Sequence, residues 1–479
     1  MGHDVGTSGI KTALIDSYGR CLAAEFGPYG SDFNMEGKHE QDPNQWWKVL
    51  ASNTRRTLRK AHVHGRDVAG ISLGVQGLGF IPVDSKGRSL RPCMTWLDSR
   101  SKLQARRIVR ETGIEVSAKS VVSKFLWLKK NEPNVFRKAQ KFVDCGAYLI
   151  TRMTGSFAWS KWNAKWFGYD ERKSEWKFAS YGLSADVLPK PILSAEEAGT
   201  TSAPVGRQMG VRAGIPVIAG GSDTVAAYVG SGAVKPGSAH ISLGSSSWIC
   251  LALSRELKTR SPMDLITGKP FENWINVGES ESACFCFDWY ASQLHERVAK
   301  MDELARSSPA GSRNLIFVPW MKGERSPIND ECARASVIGL TLNHDRADIA
   351  RSIMEGVAFN DRIILEQLIK DARGLRVNSL RAVGGGFKSK IWTQIFADVV
   401  KREIDVIQNP QYAGAIGAGL IAALGVGVYK SVNELQNLVP TSLTARPTMR
   451  TKTYDTLFSN FKQCYPREIA KIYERWGPT

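Results

Sequence analysis

The chain has 479 residues, of which 43% are apolar and 23% charged, proportions typical of folded globular proteins. One hydrophobic core rarely serves so long a chain, so we expect two domains, 1–238 and 239–479. The formal net charge is +18, but the basic residues are dispersed and form no long run, which argues against nucleic acid as the main partner.

The sequence also argues against a membrane or secreted protein. The longest uncharged run, 413–428, is shorter than the roughly 20 residues that a bilayer-spanning helix needs. The opening MGHDVG has no signal-peptide pattern, and the eight cysteines include no CxxC pair. We therefore expect a cytoplasmic protein with reduced thiols. His62 and His64 form a close histidine pair, but no third ligand lies nearby, which disfavours a metal site.

The first half begins with a predicted hairpin, in which a strand end, the turn Gly6-Thr7-Ser8 and a second strand follow one another. A helix is predicted from Pro43 to about Ala61, since Asp42 suits the N-cap and proline suits the first helical position. Beyond it we expect strands over 68–75 and 80–83, a helix capped by Asp98, mainly helical structure over 102–152 and an aromatic loop or lid over 159–176.

The stretch from Gly214 to Ile249 is the most informative part of the chain. A buried strand over 215–219 is expected to deliver Asp223 onto the first turn of a helix. A second strand, 239–243, ends at the small-residue turn Gly244-Ser245-Ser246. Phosphoryl transfer needs a base for the incoming hydroxyl and backbone donors for phosphate oxygens, and this stretch offers both.

The two hairpin turns, Gly6-Thr7-Ser8 and Gly244-Ser245-Ser246, lie about half the chain apart, and each precedes an apolar strand. This faint repeat suggests two related halves, although ordinary Gly/Ser hairpins would look the same. No Walker A or GxGxxG pattern occurs, so a dinucleotide fold is poorly supported.

In the second half we expect strands over 315–320, 380–383 and 403–407, an amphipathic helix over 348–368 and a helix over 391–400. A Gly/Ala-rich helix is expected over 413–428, packed tightly on a neighbouring helix. The glycines 384–386 should allow a ligand to approach the backbone closely.

Taken together, these motifs resemble the FGGY family of carbohydrate kinases, in the style of its xylulokinase-like members. The resemblance spans nearly the whole chain and is carried by DVGTSGIK at 4–11, EQDPNQWW at 40–47, GGSDTVAA at 220–227, SLGSSSW at 242–248, GERSPIND at 323–330, ASVIGLTLNHDRADIARSIME at 335–355, GGGFKSKIW at 384–392 and AGAIGAG at 413–419. It implies an α/β fold of the actin-like, duplicated ribonuclease-H type, with two domains around a nucleotide cleft. It also implies phosphorylation of a sugar or polyol hydroxyl by ATP with Mg²⁺.

The resemblance further implies roles for particular residues. Asp223 resembles the general base, a role compatible with helix capping, and Asp4 resembles the acid that supports Mg²⁺, directly or through water. The residues expected at the sugar are Gln76, Gly77, Leu78, Asp98, Asn163, Asp223 and Thr224. Those expected at ATP and its phosphates are Gly6, Thr7, Ser8, Lys11, Gly244, Ser245, Gly385, Gly386 and Lys390.

Three features depart from the family pattern. Few residues precede Asp4, Gly77-Leu78 stand where xylulokinases carry a Met-His pair, and Ser160 replaces an acid. Two alternatives therefore remain: a kinase for another acceptor, such as another ketopentose, a tetritol or other polyol, or gluconate, and a nucleotide- or sugar-binding protein without turnover. The expected partners are a small sugar or polyol and ATP, and a homodimer is left open.

Overall fold

The computed structural model describes residues 1–257, 263, 265–330, 332–373 and 375–464. The chain divides into two compact units. Unit 1 comprises Met1–Gly230, Pro270–Glu272 and Tyr412–Leu438, and unit 2 the described residues within Ser231–Lys269, Asn273–Gln411 and Val439–Thr479. The predicted domains differ from this division chiefly in Tyr412–Leu438, which packs within unit 1.

The strands fall into several sheets, of which one large sheet forms the centre of each unit. In chain order they are β1 Gly2–Val5, β2 Gly9–Ile15, β3 Cys21–Pro28, β4 Asp32–Phe33, β5 His39–Gln41, β6 Ile71–Val75, β7 Ile81–Val83, β8 Cys93–Met94, β9 Lys141–Val143, β10 Ala158–Ser160, β11 Tyr169–Asp170, β12 Glu175–Trp176, β13 Lys190–Ile192, β14 Glu197–Thr200, β15 Pro216–Ser222, β16 Ala239–Leu243, β17 Ser247–Leu253, β18 Leu265–Gly268, β19 Trp274–Ser280, β20 Ile316–Val318, β21 Ser336–Ile338, β22 Ser379–Val383, β23 Glu403–Ile407 and β24 Thr441–Ala445.

The α-helices vary from one turn to seven. They are α1 Pro43–Ala61, α2 Lys102–Thr112, α3 Val121–Asn131, α4 Pro133–Lys138, α5 Cys145–Thr154, α6 Lys161–Ala164, α7 Ala203–Met209, α8 Asp223–Ser231, α9 Cys284–Gln293, α10 Val298–Ser307, α11 Arg346–Asp371, α12 Lys390–Val400, α13 Ala413–Gly425 and α14 Thr451–Phe461. Across the described ranges, no helix combines the length and the apolar character that crossing a membrane requires.

The large sheet of unit 1 has the strand order β14-β15-β6-β1-β2-β3. Strands β1, β6 and β15 run parallel, whereas β2 and β3 continue the sheet as an antiparallel meander and β14 is antiparallel at the other edge. Val5 and Ser222 both pair with Val75 in the register of the parallel strands. The residues that follow these three positions therefore emerge side by side at one edge of the sheet.

The large sheet of unit 2 repeats this arrangement with one further antiparallel edge strand, β18, in the order β18-β19-β17-β16-β22-β23-β24. Here β16, β22 and β23 run parallel, β17 and β19 form the antiparallel meander, and β24 is the antiparallel edge strand. Each unit also has its own apolar core. The matching topologies confirm the predicted duplicated α/β fold, in which the two hairpins β1–β2 and β16–β17 occupy equivalent places.

Small residues let α13 pack against the backbone of unit 1. A Cβ added at Gly2 would overlap the carbonyl oxygen of Ala415, and one added at Gly417 would overlap that of Ala226 in α8. Contact this close is possible only without side chains. The Gly/Ala content predicted tight packing on a neighbouring helix, and this prediction is confirmed.

Several local predictions need correction. Strand β6 begins at Ile71, three residues later than expected, and α11 is longer than predicted and buried on all sides over 350–361 rather than amphipathic there. Asp98 does not cap a helix, because α2 begins after Ser101. Its carboxylate instead forms an ion pair with the guanidinium of Arg100.

Candidate functional site

Asp223 is the first residue of α8 and directly follows β15. The strand register places it at the same sheet edge as Gly6 and Gln76, which directly follow β1 and β6. The Asp223 side chain is partly exposed, and its Oδ1 accepts the Thr224 backbone N–H at 2.8 Å. Ligands of open α/β sheets bind at this carboxyl edge, so Asp223 stands where a substrate is expected.

A chain of amide hydrogen bonds ties Gln76 to the first hairpin turn. Gln76 Nε2 donates to Gln41 Oε1 at 2.8 Å, and Gln41 Nε2 donates to the Thr7 carbonyl oxygen at 2.7 Å and to Ser31 Oγ at 2.9 Å. Gln76 Oε1 is buried and has no hydrogen-bond partner within the described ranges. Because a buried acceptor without a partner costs about 1–3 kcal/mol, a ligand hydroxyl that donates there would be stabilised.

Gln41 was not among the residues predicted for the site, although it lies within one of the motifs that carry the resemblance. It is buried at the end of β5, directly before the N-cap Asp42 of α1. A long polar side chain at the end of a buried strand is the signal that could have identified it.

The turn Gly6–Gly9 offers backbone donors. Gly6 N–H donates to the Gly9 carbonyl oxygen at 3.1 Å, and Thr7 Oγ1 accepts the indole N–H of Trp96 at 2.9 Å. The backbone N–H groups of Thr7 and Ser8 find no acceptor among the described residues. Two successive N–H groups without acceptors form a concave anion site.

The turn after β16 in unit 2 shows the same pattern. Gly244 N–H donates to the Ser246 carbonyl oxygen at 2.9 Å, while the N–H groups of Cys284 and Ala283 donate to the carbonyls of Gly244 and Ser245, each at 2.9 Å. The N–H groups of Ser245 and Ser246 are left without an acceptor in the part of unit 2 that is described. Each unit thus presents a turn suited to phosphate oxygens.

Asp4 and Lys11 are neighbours across the β1–β2 hairpin, with Asp4 Oδ2 3.6 Å from Lys11 Nζ. The first turn of α13 lies against the carboxylate, because a Cβ added at Gly414 would be 2.7 Å from Asp4 Cγ. No group of three or more His, Cys, Asp or Glu that could hold a metal occurs among the described residues. A lone, partly exposed carboxylate still fits Mg²⁺, which takes one or two protein carboxylates together with substrate phosphates and water.

Two predicted sugar-binding side chains are already engaged by the protein. Asp98 is fully buried and accepts the His39 N–H at 3.0 Å besides pairing with Arg100. Asn163 is also buried, and its Nδ2 donates to Asp144 Oδ2 at 2.6 Å. Their polar groups therefore hold the surrounding loops in place.

Gly77 and Leu78, in contrast, are partly exposed immediately after Gln76. Leu78 has a left-handed backbone, with φ 56°, and its carbonyl oxygen accepts Lys124 Nζ at 2.8 Å. Burial lowers the pKa of Lys124 to about 8. The buried lysine thus fixes the turn that bears Gly77 and Leu78, which depart from the family pattern.

The glycines after β22 bring the chain close to β16. Gly384 has φ +99°, and a Cβ there would overlap the carbonyl oxygen of Leu243. A Cβ at Gly386 would contact the Leu243 side chain, whereas one at Gly385 would meet nothing within 4 Å. Gly385 and Lys390 are exposed, so this segment keeps an open surface at the equivalent edge of unit 2.

Two tryptophans of the aromatic segment lie at the edge that bears Asp223. Trp162 Nε1 donates to Ser222 Oγ at 2.9 Å, and Trp166 Nε1 lies 3.5 Å from the place of a Cβ on Gly77. Trp166 was not among the residues predicted for the site. Their spacing of four residues was the signal available, because residues four apart share one helix face.

Comparisons with known proteins agree with this geometry. The model of the FGGY family of carbohydrate kinases, N-terminal domain, matches residues 1–230, and that of the C-terminal domain matches residues 239–426. The xylulose kinase of Escherichia coli (strain K12) is 29% identical over 484 residues, covering 97% of this chain and 98% of the relative.

Solved structures give the same result. Ligand-bound xylulose kinase and gluconate kinase, both from Lactobacillus acidophilus, each align with a TM-score of 0.86 and 25% identity over 99% of both chains. The family models together span most of the sequence and both repeated sheets. The chain therefore belongs to the FGGY family of carbohydrate kinases and is an ATP-dependent sugar kinase.

Proposed function

We propose that this kinase phosphorylates a ketopentose such as xylulose, and that Asp223 is the general base of the reaction. The observation that carries the proposal is the position of Asp223 beside Gln76 and the Gly6–Gly9 turn at one edge of the unit 1 sheet. The xylulose kinases among the relatives support the choice of acceptor.

In the proposed reaction, the acceptor hydroxyl oxygen forms a bond to the γ-phosphorus of ATP while the bond to the ADP oxygen breaks. Asp223 takes the hydroxyl proton, and Gln76 Oε1 accepts a hydrogen bond from the acceptor. The N–H groups of Thr7 and Ser8, with the Lys11 ammonium, offset the negative charge on the phosphates. Positioning and charge stabilisation then account for most of the acceleration.

We assign nucleotide binding to the backbone around Ser245 and Ser246 and to the glycine segment 384–386 of unit 2. Asp4 would hold Mg²⁺, directly or through a water molecule, as a single carboxylate that needs the ATP phosphates to complete the site. When bound, the ion neutralises phosphate charge. Lys11, which pairs with Asp4, balances the same carboxylate.

A second acceptor class deserves equal testing because Gly77-Leu78 replace the expected Met-His pair. Glycine widens the space beside Gln76, and a gluconate kinase is as similar in structure as a xylulose kinase. Aldonates and polyols are therefore the alternative acceptors.

The test is a coupled ADP-release assay of the purified chain with Mg²⁺ across pentuloses, polyols and aldonates. We expect sugar-dependent ADP release that is strongest with a pentulose. Strongest turnover with an aldonate or a polyol would replace the ketopentose assignment. ATP binding without ADP release for any of these acceptors would contradict the proposed reaction.

A further inference from the structure

The segment formed by α6 and the following 3₁₀ turn, Lys165–Phe167, spans the ends of two parallel strands. Trp162 reaches Ser222, the last residue of β15, and Trp166 reaches Gly77, two residues beyond the end of β6. Because these strand ends are register neighbours, both indoles lie at the edge that bears Asp223. One short segment thus brings two tryptophans to this edge of the sheet.

The two indole N–H groups differ in their hydrogen bonding. Trp162 Nε1 donates to Ser222 Oγ at 2.9 Å. Trp166 Nε1 is shielded from water and has no acceptor among the described residues, although the Trp166 ring itself is partly exposed. A shielded donor without an acceptor is unfavourable in the free protein, and it gains more from a ligand oxygen than an exposed donor does.

Glycine at position 77 lets the Trp166 indole lie close to the backbone there. A Cβ on Gly77 would lie 3.5, 3.7 and 4.0 Å from Nε1, Cε2 and Cζ2 of the Trp166 indole. These are ordinary contact distances, so alanine would just fit, whereas a larger side chain directed along that bond would collide with the ring. Gly77 and Trp166 therefore form a size-matched pair.

We propose that Trp166 is an acceptor-specificity residue, whose ring forms a wall beside Gly77 and whose indole N–H donates to one hydroxyl of the acceptor. The proposal rests on the proposed function, since it places the acceptor beside Asp223. The class of acceptor that Trp166 would select is a small polyhydroxylated molecule with one hydroxyl oxygen directed at Trp166 Nε1.

Trp166→Phe tests the proposal, because phenylalanine keeps an aromatic wall and removes the donor. The probes are the best acceptor from the ADP-release panel and its analogues that each lack one hydroxyl. We expect the preference for the full acceptor over one analogue to fall about three- to tenfold in kcat/KM, the range of one neutral hydrogen bond. The free protein should lose less melting temperature than Trp162→Phe does, since both variants lose ring volume but only Trp162 loses a satisfied hydrogen bond.

Trp162→Phe is the matched control, because its N–H is satisfied within the protein. We expect that variant to melt at a lower temperature and to retain the preference among the analogues. Gly77→Ala is a second variant for the case in which Trp166→Phe does not fold. Its added methyl would lie 3.5 Å from Trp166 Nε1, where the proposal places the acceptor hydroxyl, so weaker acceptor binding is expected.

Acceptor-induced shifts in melting temperature provide a readout that does not depend on turnover. Preferences that stay unchanged in both Trp166→Phe and Gly77→Ala would overturn the role of Trp166. If wild-type protein binds acceptors without phosphorylating them, the proposed catalytic function fails, while the shifts still test Trp166. If no acceptor binds, the inference is overturned together with the proposed acceptor site.

Discussion

A buried carboxyl group lies beneath the turn that we assign to nucleotide phosphates in unit 2. Ser247 directly follows that turn, and its Oγ donates to Asp361 Oδ1 on α11 at 2.8 Å. Both residues are fully buried, and Asp361 Oδ2 has no hydrogen-bond partner among the described residues. Burial raises the pKa of Asp361 from its ordinary value of 3.8 to about 7.

This raised pKa predicts a specific loss of stability with rising pH. Below pH 3.8 the carboxyl is protonated whether the chain is folded or unfolded, so Asp361 does not make the free energy of unfolding depend on pH there. Above that pH the carboxyl ionises in the unfolded chain but stays protonated in the folded chain. The free energy of unfolding therefore falls progressively until about pH 7, where the folded form also ionises. At about 1.4 kcal/mol per pH unit, the free energy of unfolding falls by roughly 2–3 kcal/mol between pH 5 and 8 because of Asp361.

Asp361→Asn removes the ionisation and retains an oxygen that can accept from Ser247. We expect the variant to gain stability relative to wild type as pH rises from 5 to 7, with no further gain above about pH 7. A domain of 150–250 residues melts roughly 2–4 °C higher per kcal/mol. Melting curves of both proteins from pH 5 to 8.5 test this, because other buried acids contribute equally to both. A difference in melting temperature that stays constant across this range would refute the reasoning.

Two further predictions concern unit 1. Gly417→Ala should destabilise the protein by about 2 kcal/mol or more, because its Cβ would overlap the Ala226 carbonyl oxygen, whereas Gly30→Ala, whose Cβ would meet nothing within 4 Å, should change the melting temperature little. Equal melting of the two variants would contradict the packing of α13. Lys11→Gln should raise the KM for ATP about three- to tenfold at low ionic strength, since a phosphate partner is removed. An unchanged KM in steady-state assays would exclude that role.

Local sequence signals predicted the elements that short-range rules control. Strands β16 and β23 have the predicted bounds, and α1 begins at Pro43 after the N-cap Asp42, whose side chain accepts the Asn44 N–H. In each case the deciding residues lie within a few positions of the boundary. The Gly-Thr-Ser and Gly-Ser-Ser turns likewise predicted two hairpins, which the sheets confirm.

Contacts between distant residues explain what the sequence did not predict. Asp98 was expected to cap a helix, but its carboxylate accepts a hydrogen bond from the backbone N–H of His39, which is far away in the chain. The place of α13 in unit 1 depends on backbone contact with Gly2, more than four hundred residues earlier. The position of Trp166 beside Gly77 depends on tertiary packing in the same way. Spacing alone cannot reveal such neighbours.

The most direct test of the proposed mechanism is the turnover of Asp223→Asn with its best acceptor and ATP. We expect kcat to fall by about a hundredfold or more, the usual contribution of a general base, while ATP binding measured by calorimetry is retained. Asparagine has nearly the shape of aspartate but cannot take the proton at neutral pH. Turnover equal to that of wild type would show that Asp223 is not the base.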